Sequence, residues 1–364
     1  MIGSAVDAVL ERHVADGTVD GIAVAVARVD GPLTERYVGM AAPGLPSSPD
    51  VLWPIASMSK VFTATTVIRL VELGELSLDS RVTALVPAFT GDGRDAVRVR
   101  DLLAHTSGLP YESAAMGERL AAKTSLQAML EEALSEPLLF TPGTRFAYSD
   151  YAFLVAGRVA EVATGTPFPE LMTDLVLEPM GLRDTYLVPP ASALRRIARV
   201  RGVLAEGTDG AMYGSPYALG LGHPAFGVVS SLRDLVRFAR HFAPGGPRIL
   251  SEASVASMTH SQTDGVPGRH PVPGWARGET PIAWSFGFMV PTADVPPLFP
   301  DAASAATFGH PGASGCMLTV CPAGDRVVVV VSNTHLLVDP VAWYPRLLEI
   351  TACAWDEAPP AASG

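Results

Sequence analysis

The chain has 364 residues, 48% of them hydrophobic and 17% charged. It is long enough for one large or two modest domains, and too apolar at that charge density to be disordered or collagen-like. Its formal net charge is −11, with 26 basic against 37 acidic residues. An acidic surface repels phosphate backbones and anionic lipid, which sets nucleic-acid and membrane partners aside. The positive charge is almost all arginine: Lys60 and Lys123 are the only lysines, so a lysine kept in this chain asks for a reason.

In chain order, residues 5–14 carry apolar positions at helical spacing and predict a first helix. Ile22 to Val29 and Arg36 to Met40, joined through Asp30-Gly31-Pro32, read as a hairpin. A Pro-, Gly- and Ser-rich loop (42–50) leads to Trp53-Pro54-Ile55-Ala56. Helical periodicity then starts abruptly at Ser57 and runs to Leu73, with Gly74 as its C-cap. Residues 75–245 read as helical pieces joined by turns, and 262–281 as a long surface loop. Strand-like runs return at Ser285–Val290, Thr307–Cys321 and Arg326–Asn333. The five valines at 327–331 predict a strand covered on both faces, and a last amphipathic helix spans about 341–356. Strands thus come from both chain ends and helices from the middle. The expected fold class is α/β (α+β): an antiparallel sheet flanked by helices, with an inserted, mainly helical domain. The expected division is 1–65 with 275–364 against 66–274, with the active site at their interface.

Cys316, Cys321 and Cys353 make no C-x-x-C pair and read as free thiols, the first two as small buried hydrophobes. The N-terminal segment has no basic stretch before its apolar run, and no apolar run approaches the roughly 20 residues that span a bilayer, so a cytoplasmic setting is expected. Neither G-x-S-x-G nor H-E-x-x-H occurs, and no cofactor or metal is expected.

The local signal for chemistry is Ser57-Met58-Ser59-Lys60. Three residues apart on a helix, a serine hydroxyl and a lysine amine share a face and can hydrogen-bond, and a desolvated lysine can activate a serine nucleophile. The same tetrapeptide also reads as a serine N-cap with a lysine on a solvated face. The apolar turns that follow, V-F-T-A-T-T-V-I, place Lys60 at the start of a buried helix. Two further blocks follow in order, Pro142-Gly143-Thr144-Arg145-Phe146-Ala147-Tyr148-Ser149-Asp150-Tyr151 and Phe308-Gly309-His310-Pro311-Gly312-Ala313-Ser314-Gly315.

With these blocks, and with Leu102–Pro110, Glu178–Thr185 and Gly227–Leu235, the chain resembles the serine β-lactamase and penicillin-binding protein superfamily from about residue 5 to 350. The nearest likeness is to the class C β-lactamase, DD-carboxypeptidase and family VIII esterase branch. The resemblance implies Ser57 as acylated nucleophile, Lys60 as its partner, Tyr148 as proton relay and His310 as an active-site residue in the third motif. It implies an oxyanion hole from the backbone N–H groups of Ser57 and Ala313. Asp150 and Gly312 are expected to bind substrate; His105 is expected to serve the fold. Candidate walls are the loops 205–226, with Tyr213, Tyr217 and His223, and 262–281, with Trp275. Two departures stand out. Asp150 replaces the usual Asn and, when ionised, can only accept hydrogen bonds; it can pair with Lys60 or favour a substrate that donates. Pro311 replaces a Thr or Ser and removes a hydroxyl and a backbone N–H that help hold a substrate carboxylate. The resemblance therefore implies a serine acyl-enzyme hydrolase or transacylase. Its substrate would be a small-molecule ester or amide, with an amine or alcohol as a possible acceptor. The alternatives are a β-lactamase or D-amino-acid peptidase, and a catalytically silent binding module.

Overall fold

The computed structural model of the protein describes residues 3–202, 215–263, 265–269, 278–291, 306–323 and 325–356. The chain enters through α1 (Ser4–Ala15), β1 (Gly21–Arg28), β2 (Leu33–Ala42), β3 (Leu45–Pro46), β4 (Leu52–Pro54) and α2 (Ser59–Glu72). The middle is largely helical and includes α3 (Asp150–Thr164), the short strands β5 (Thr185–Tyr186) and β6 (Val229–Ser231), and α4 (Leu232–Arg240). A small hairpin, β7 (Val266–Gly268) with β8 (Thr280–Ile282), precedes β9 (Phe308–Gly312), β10 (Cys316–Cys321), β11 (Arg326–Ser332) and α5 (Trp343–Asp356).

The main sheet runs β3-β2-β1-β11-β10-β9, and every pairing in it is antiparallel. The two chain ends meet at its centre, where Val24 lies opposite both Val330 of β11 and Arg36 of β2. Strand alternation explains why these two strands are apolar throughout. Ile22, Val24 and Val26 join Val328 and Val330 in a core with α1 and α5, through Leu10, Trp343, Leu347 and Trp355. Ala23, Ala25 and Ala27 join Val327, Val329 and Val331 in the opposite core, with Phe62 of α2 and Phe238 of α4. The five-valine strand is covered on both faces, as its composition predicts.

Two expectations change in detail. Ser285–Val290 is not a strand, because Gly287 turns the chain at φ +104° and presses against α2, where a Cβ would come 2.9 Å from that of Ala64. Only isolated bridges remain there, from Met289 to Trp284 and to Gly309. The run 307–321 is two strands, split by a turn at Ala313–Gly315 in which Gly315 takes φ +94° and its N–H donates to the Gly312 carbonyl at 2.9 Å. Gly74 closes α2 in the left-handed conformation expected of a C-terminal glycine.

Candidate active site

Ser57 lies in a 3-10 turn (Ala56–Met58) leading into α2, one step earlier than a helix N-cap. The turn is tightly held. The Ile55 N–H donates to the Val228 carbonyl, the Ser59 hydroxyl donates to the Ala56 carbonyl, and the Val228 N–H donates to the Ser59 hydroxyl. Ala56, just before the serine, sits at φ +47°, a left-handed conformation costly for a residue with a side chain. On the other side, Gly312 of β9 packs so closely that a Cβ would stand 2.2 Å from the Ile55 carbonyl oxygen. Any larger residue would push β9 and the Ala313 backbone away from the serine turn.

Lys60 is 0% exposed, which removes the reading that puts it on a solvated face. Its Nζ lies 3.3 Å from Ser57 Oγ, 3.2 Å from the Ala225 carbonyl oxygen and 2.5 Å from Asp150 Oδ1, and 4.7 Å from the centre of the Tyr148 ring. Three acceptors match the three hydrogens of an ammonium. Burial alone pulls a lysine toward neutrality, but the Asp150 carboxylate and Tyr148 outweigh it and raise the amine above its usual value. Burial likewise pushes the Asp150 carboxyl up, against the pull of Lys60. With the oppositely charged group in contact and solvent excluded, we take the pair as ammonium and carboxylate. Asp150 is 3% exposed, behind Lys60, and does not line the cavity described below.

Tyr148 precedes α3, whose N-cap Ser149 accepts a hydrogen bond from the Ala152 N–H. Burial raises the phenol above its usual value, with Lys60 the main opposing pull, so the hydroxyl is protonated near neutral pH. The hydroxyl is within hydrogen-bonding reach of Ser57 and Lys60. It also lies 3.4 Å from His310 Nε2. His310 Nδ1 is 2.6 Å from the Pro311 carbonyl oxygen, which can only accept, so Nδ1 carries the proton. Burial and Lys60 lower the imidazole to about 3, so the ring is neutral and its free Nε2 lone pair faces Tyr148. The fully buried His105 stacks on the phenol ring, ring centres 4.3 Å apart, and its Nδ1 accepts from the Ser149 N–H at 3.0 Å. A residue expected to serve the fold alone thus also clamps the tyrosine and the start of α3.

A cavity of about 530 Å³ opens above Ser57. Its described lining includes Tyr111, Phe140, Phe146, Leu336 and Trp343, with Tyr148, His310, Pro311 and Ala313 at the reactive end. Of the candidate walls, Tyr213 and Trp275 lie outside the described residues. Tyr217 instead donates to the Thr124 carbonyl, and His223 is buried against Phe226; neither lines the cavity. The 262–281 segment contributes Arg269 and Glu279. Sequence reasoning missed Arg145, Trp343 and Tyr111, and also Glu112, whose carboxyl is pushed up to about 7 by burial and by Asp150. Tyr111 and Glu112 do follow the Leu102–Pro110 block directly, and Arg145 lies within the block that holds Tyr148; Trp343 carries no local signal.

A serine, a buried lysine and a tyrosine converge under an apolar cavity, on a sheet closed by both chain ends, an arrangement whose chemistry can support acyl transfer through the serine. Residues 6–351 match the family model described as Beta-lactamase, and the chain belongs to that family. It is 30% identical over 332 residues to penicillin-binding protein 4 of Amycolatopsis lactamdurans, covering 86% of this chain and 81% of that one. It is 35% identical over 204 residues to esterase EstB of Burkholderia gladioli, covering 51% of this chain and 52% of that one. The fold is also that of EstCE1, a hydrolase with promiscuous acyltransferase activity, at a TM-score of 0.77 and 24% identity over 96% of this chain and 97% of the other. The D-amino acid amidase of Ochrobactrum anthropi SV3 superposes at 0.76, with 22% identity over 97% of each chain. The protein is an enzyme of the serine hydrolase and acyltransferase kind.

Proposed function

We propose that the enzyme forms an acyl-enzyme on Ser57 from a small ester or amide and releases the acyl group to water or to an amine or alcohol. The observation that carries this reading is Ser57 on the floor of the cavity, with Lys60 and Tyr148 in reach of its hydroxyl. The apolar and aromatic lining favours an apolar acyl group, and the names of EstB, an esterase, and EstCE1, a hydrolase with promiscuous acyltransferase activity, support ester cleavage and acyl transfer.

In this reading the charged Lys60 does not take the serine proton; its hydrogens are directed at Ser57, Ala225 and Asp150. It lowers the cost of negative charge on the attacking oxygen. Tyr148 accepts the Ser57 proton as its own moves toward His310 Nε2. Because His310 is so weak a base, the proton returns through Tyr148 to the leaving group instead of resting on the ring. The backbone N–H groups of Ser57 and Ala313 hold the tetrahedral oxyanion, and Gly312 lets β9 stand close enough for both to reach it. A second reading, β-lactam or D-amino-acid peptide substrates, is favoured by the likeness to penicillin-binding protein 4. Pro311, lacking an N–H and a hydroxyl beside the reacting centre, speaks against it.

The test is intact-mass spectrometry of the enzyme with a panel of apolar esters, their amides and a penicillin, followed by a chase with water or an amine. The expected result is an adduct on Ser57 from the esters, released faster by the amine with an amide as product. A stable penicillin adduct with none from the esters would establish the second reading instead.

A further inference from the structure

The mouth of the cavity is charged, although its walls are apolar. Among the described lining residues, Arg145, Arg269 and Glu279 are the ones that carry full charge. Arg145 and Glu279 form an ion pair across the rim, which cancels both. Among the described residues Arg269 is in no such pair and no hydrogen bond, and it is the one cation of the described rim left uncompensated, in a chain whose net charge is −11. The backbone fixes where that cation stands. Gly268, just before it, bridges Phe146, and the Phe146 N–H donates to the Pro267 carbonyl at 2.9 Å. The contact is close because residue 268 is glycine: a Cβ there would meet the Phe146 carbonyl oxygen at 2.6 Å. Arg269 is thereby tied to the extended segment that ends in Tyr148, the residue that hands the proton to the departing group.

We propose that this rim is an anion subsite in which Arg269 recognises a carboxylate on the substrate, on the part that leaves with the proton from Tyr148 or on the acceptor that takes its place. The inference rests on the acyl-enzyme reading above. It also gives a carboxylate a holding point away from the third motif, where Pro311 offers none. Arg145 is a reserve donor: with Glu279 intact it is engaged, and with Glu279 neutral it is free to join Arg269 on the same anion.

The experiment compares phenyl butyrate with 3-carboxyphenyl butyrate, which differ by a carboxylate on the leaving group, and with the phenyl monoester of glutaric acid, which carries it on the acyl part. The preference is the ratio of kcat/KM between charged and neutral ester. The expected result is a preference for 3-carboxyphenyl butyrate that falls at least tenfold in R269E, through KM, rises in E279Q, and shrinks with added salt. A larger preference for the glutarate monoester would move the carboxylate to the acyl part and overturn the placement. A ratio unchanged within twofold in both variants would overturn the subsite itself. Calorimetric titration of S57A and S57A/R269E with 3-carboxyphenyl butyrate reads the same discrimination without turnover. Arginine-dependent binding with no turnover of any ester by the parent enzyme would sink the acyl-enzyme reading and leave the subsite standing.

Discussion

The floor of the cavity and its mouth are built on opposite plans. On the floor, Ser57 and Tyr148 line the cavity above buried Lys60, Asp150 and His310, and the Lys60–Asp150 ion pair is closed off from water. At the mouth, side chains from residues 111, 140, 145, 269, 279, 336 and 343 meet across an open space. In the proposed function, a change of one charge or one hydrogen bond on the floor alters which atom holds a proton, and one at the mouth alters which molecule enters. The proposed function and the proposed anion subsite together expect reaction class and substrate choice to reside in separate parts of this molecule and to be perturbed separately.

The largest effect is expected from Tyr148→Phe, which keeps the ring against His105 but removes the hydroxyl of the proposed relay. It should lower kcat/KM for every ester by about 10²–10⁴-fold, measured by steady-state turnover. A loss confined to one ester would put Tyr148 with the mouth.

Next is Asp150→Ala, which strands a buried ammonium. Removing one partner of a buried pair costs about 3–5 kcal/mol, read as a lower denaturant midpoint. Asp150→Asn should fold better than Asp150→Ala. It should also let Lys60 titrate at lower pH, visible as a new alkaline feature in kcat/KM. An unchanged midpoint in Asp150→Ala would show that the pair is not the buried charge pair described.

His310→Gln should slow turnover while leaving the shape of the pH profile between pH 5 and 9 intact, because an imidazole lowered to about 3 does not titrate in that window. Loss of an inflection near pH 6–7 in this variant would contradict the neutral ring.

Glu112, which feels the charges of Asp150 and Lys60 but does not line the cavity, gives the smallest effect. Its folded value is raised from 4.5 to about 7, so the native state holds its proton more tightly than the unfolded chain does. The stability this contributes is present in full below pH 4.5 and is lost as pH rises through about 7. Glu112→Gln should therefore melt increasingly higher than the parent between pH 5 and pH 8. A constant difference in melting temperature across that range would mean that Glu112 is an ordinary solvated carboxylate.

The same division explains what could be read from the sequence. The floor is written in short blocks, Ser57–Lys60, Tyr148–Asp150 and Phe308–Ala313, each recognisable by itself, although only the fold brings the three together. The sheet was legible for a similar reason: five consecutive valines and an alanine-rich partner strand need apolar cover on both faces. The run 285–290 misled because its β-like composition is overruled by a single glycine turn against α2. The left-handed Ala56 could not be anticipated, since alanine carries no sign of it. The mouth was the least legible, because Arg145, Arg269 and Trp343 become neighbours only through the fold. His105 shows both sides at once: its block is recognisable, but its stacking on Tyr148 is a tertiary fact.

The most direct test of the central claim, that Ser57 carries the acyl group, is intact-mass analysis after treatment with a fluorophosphonate, comparing the parent enzyme with Ser57→Ala. The account expects one stoichiometric adduct on the parent, mapped to the peptide containing Ser57, and none on the variant. Equal labelling of both proteins would contradict it.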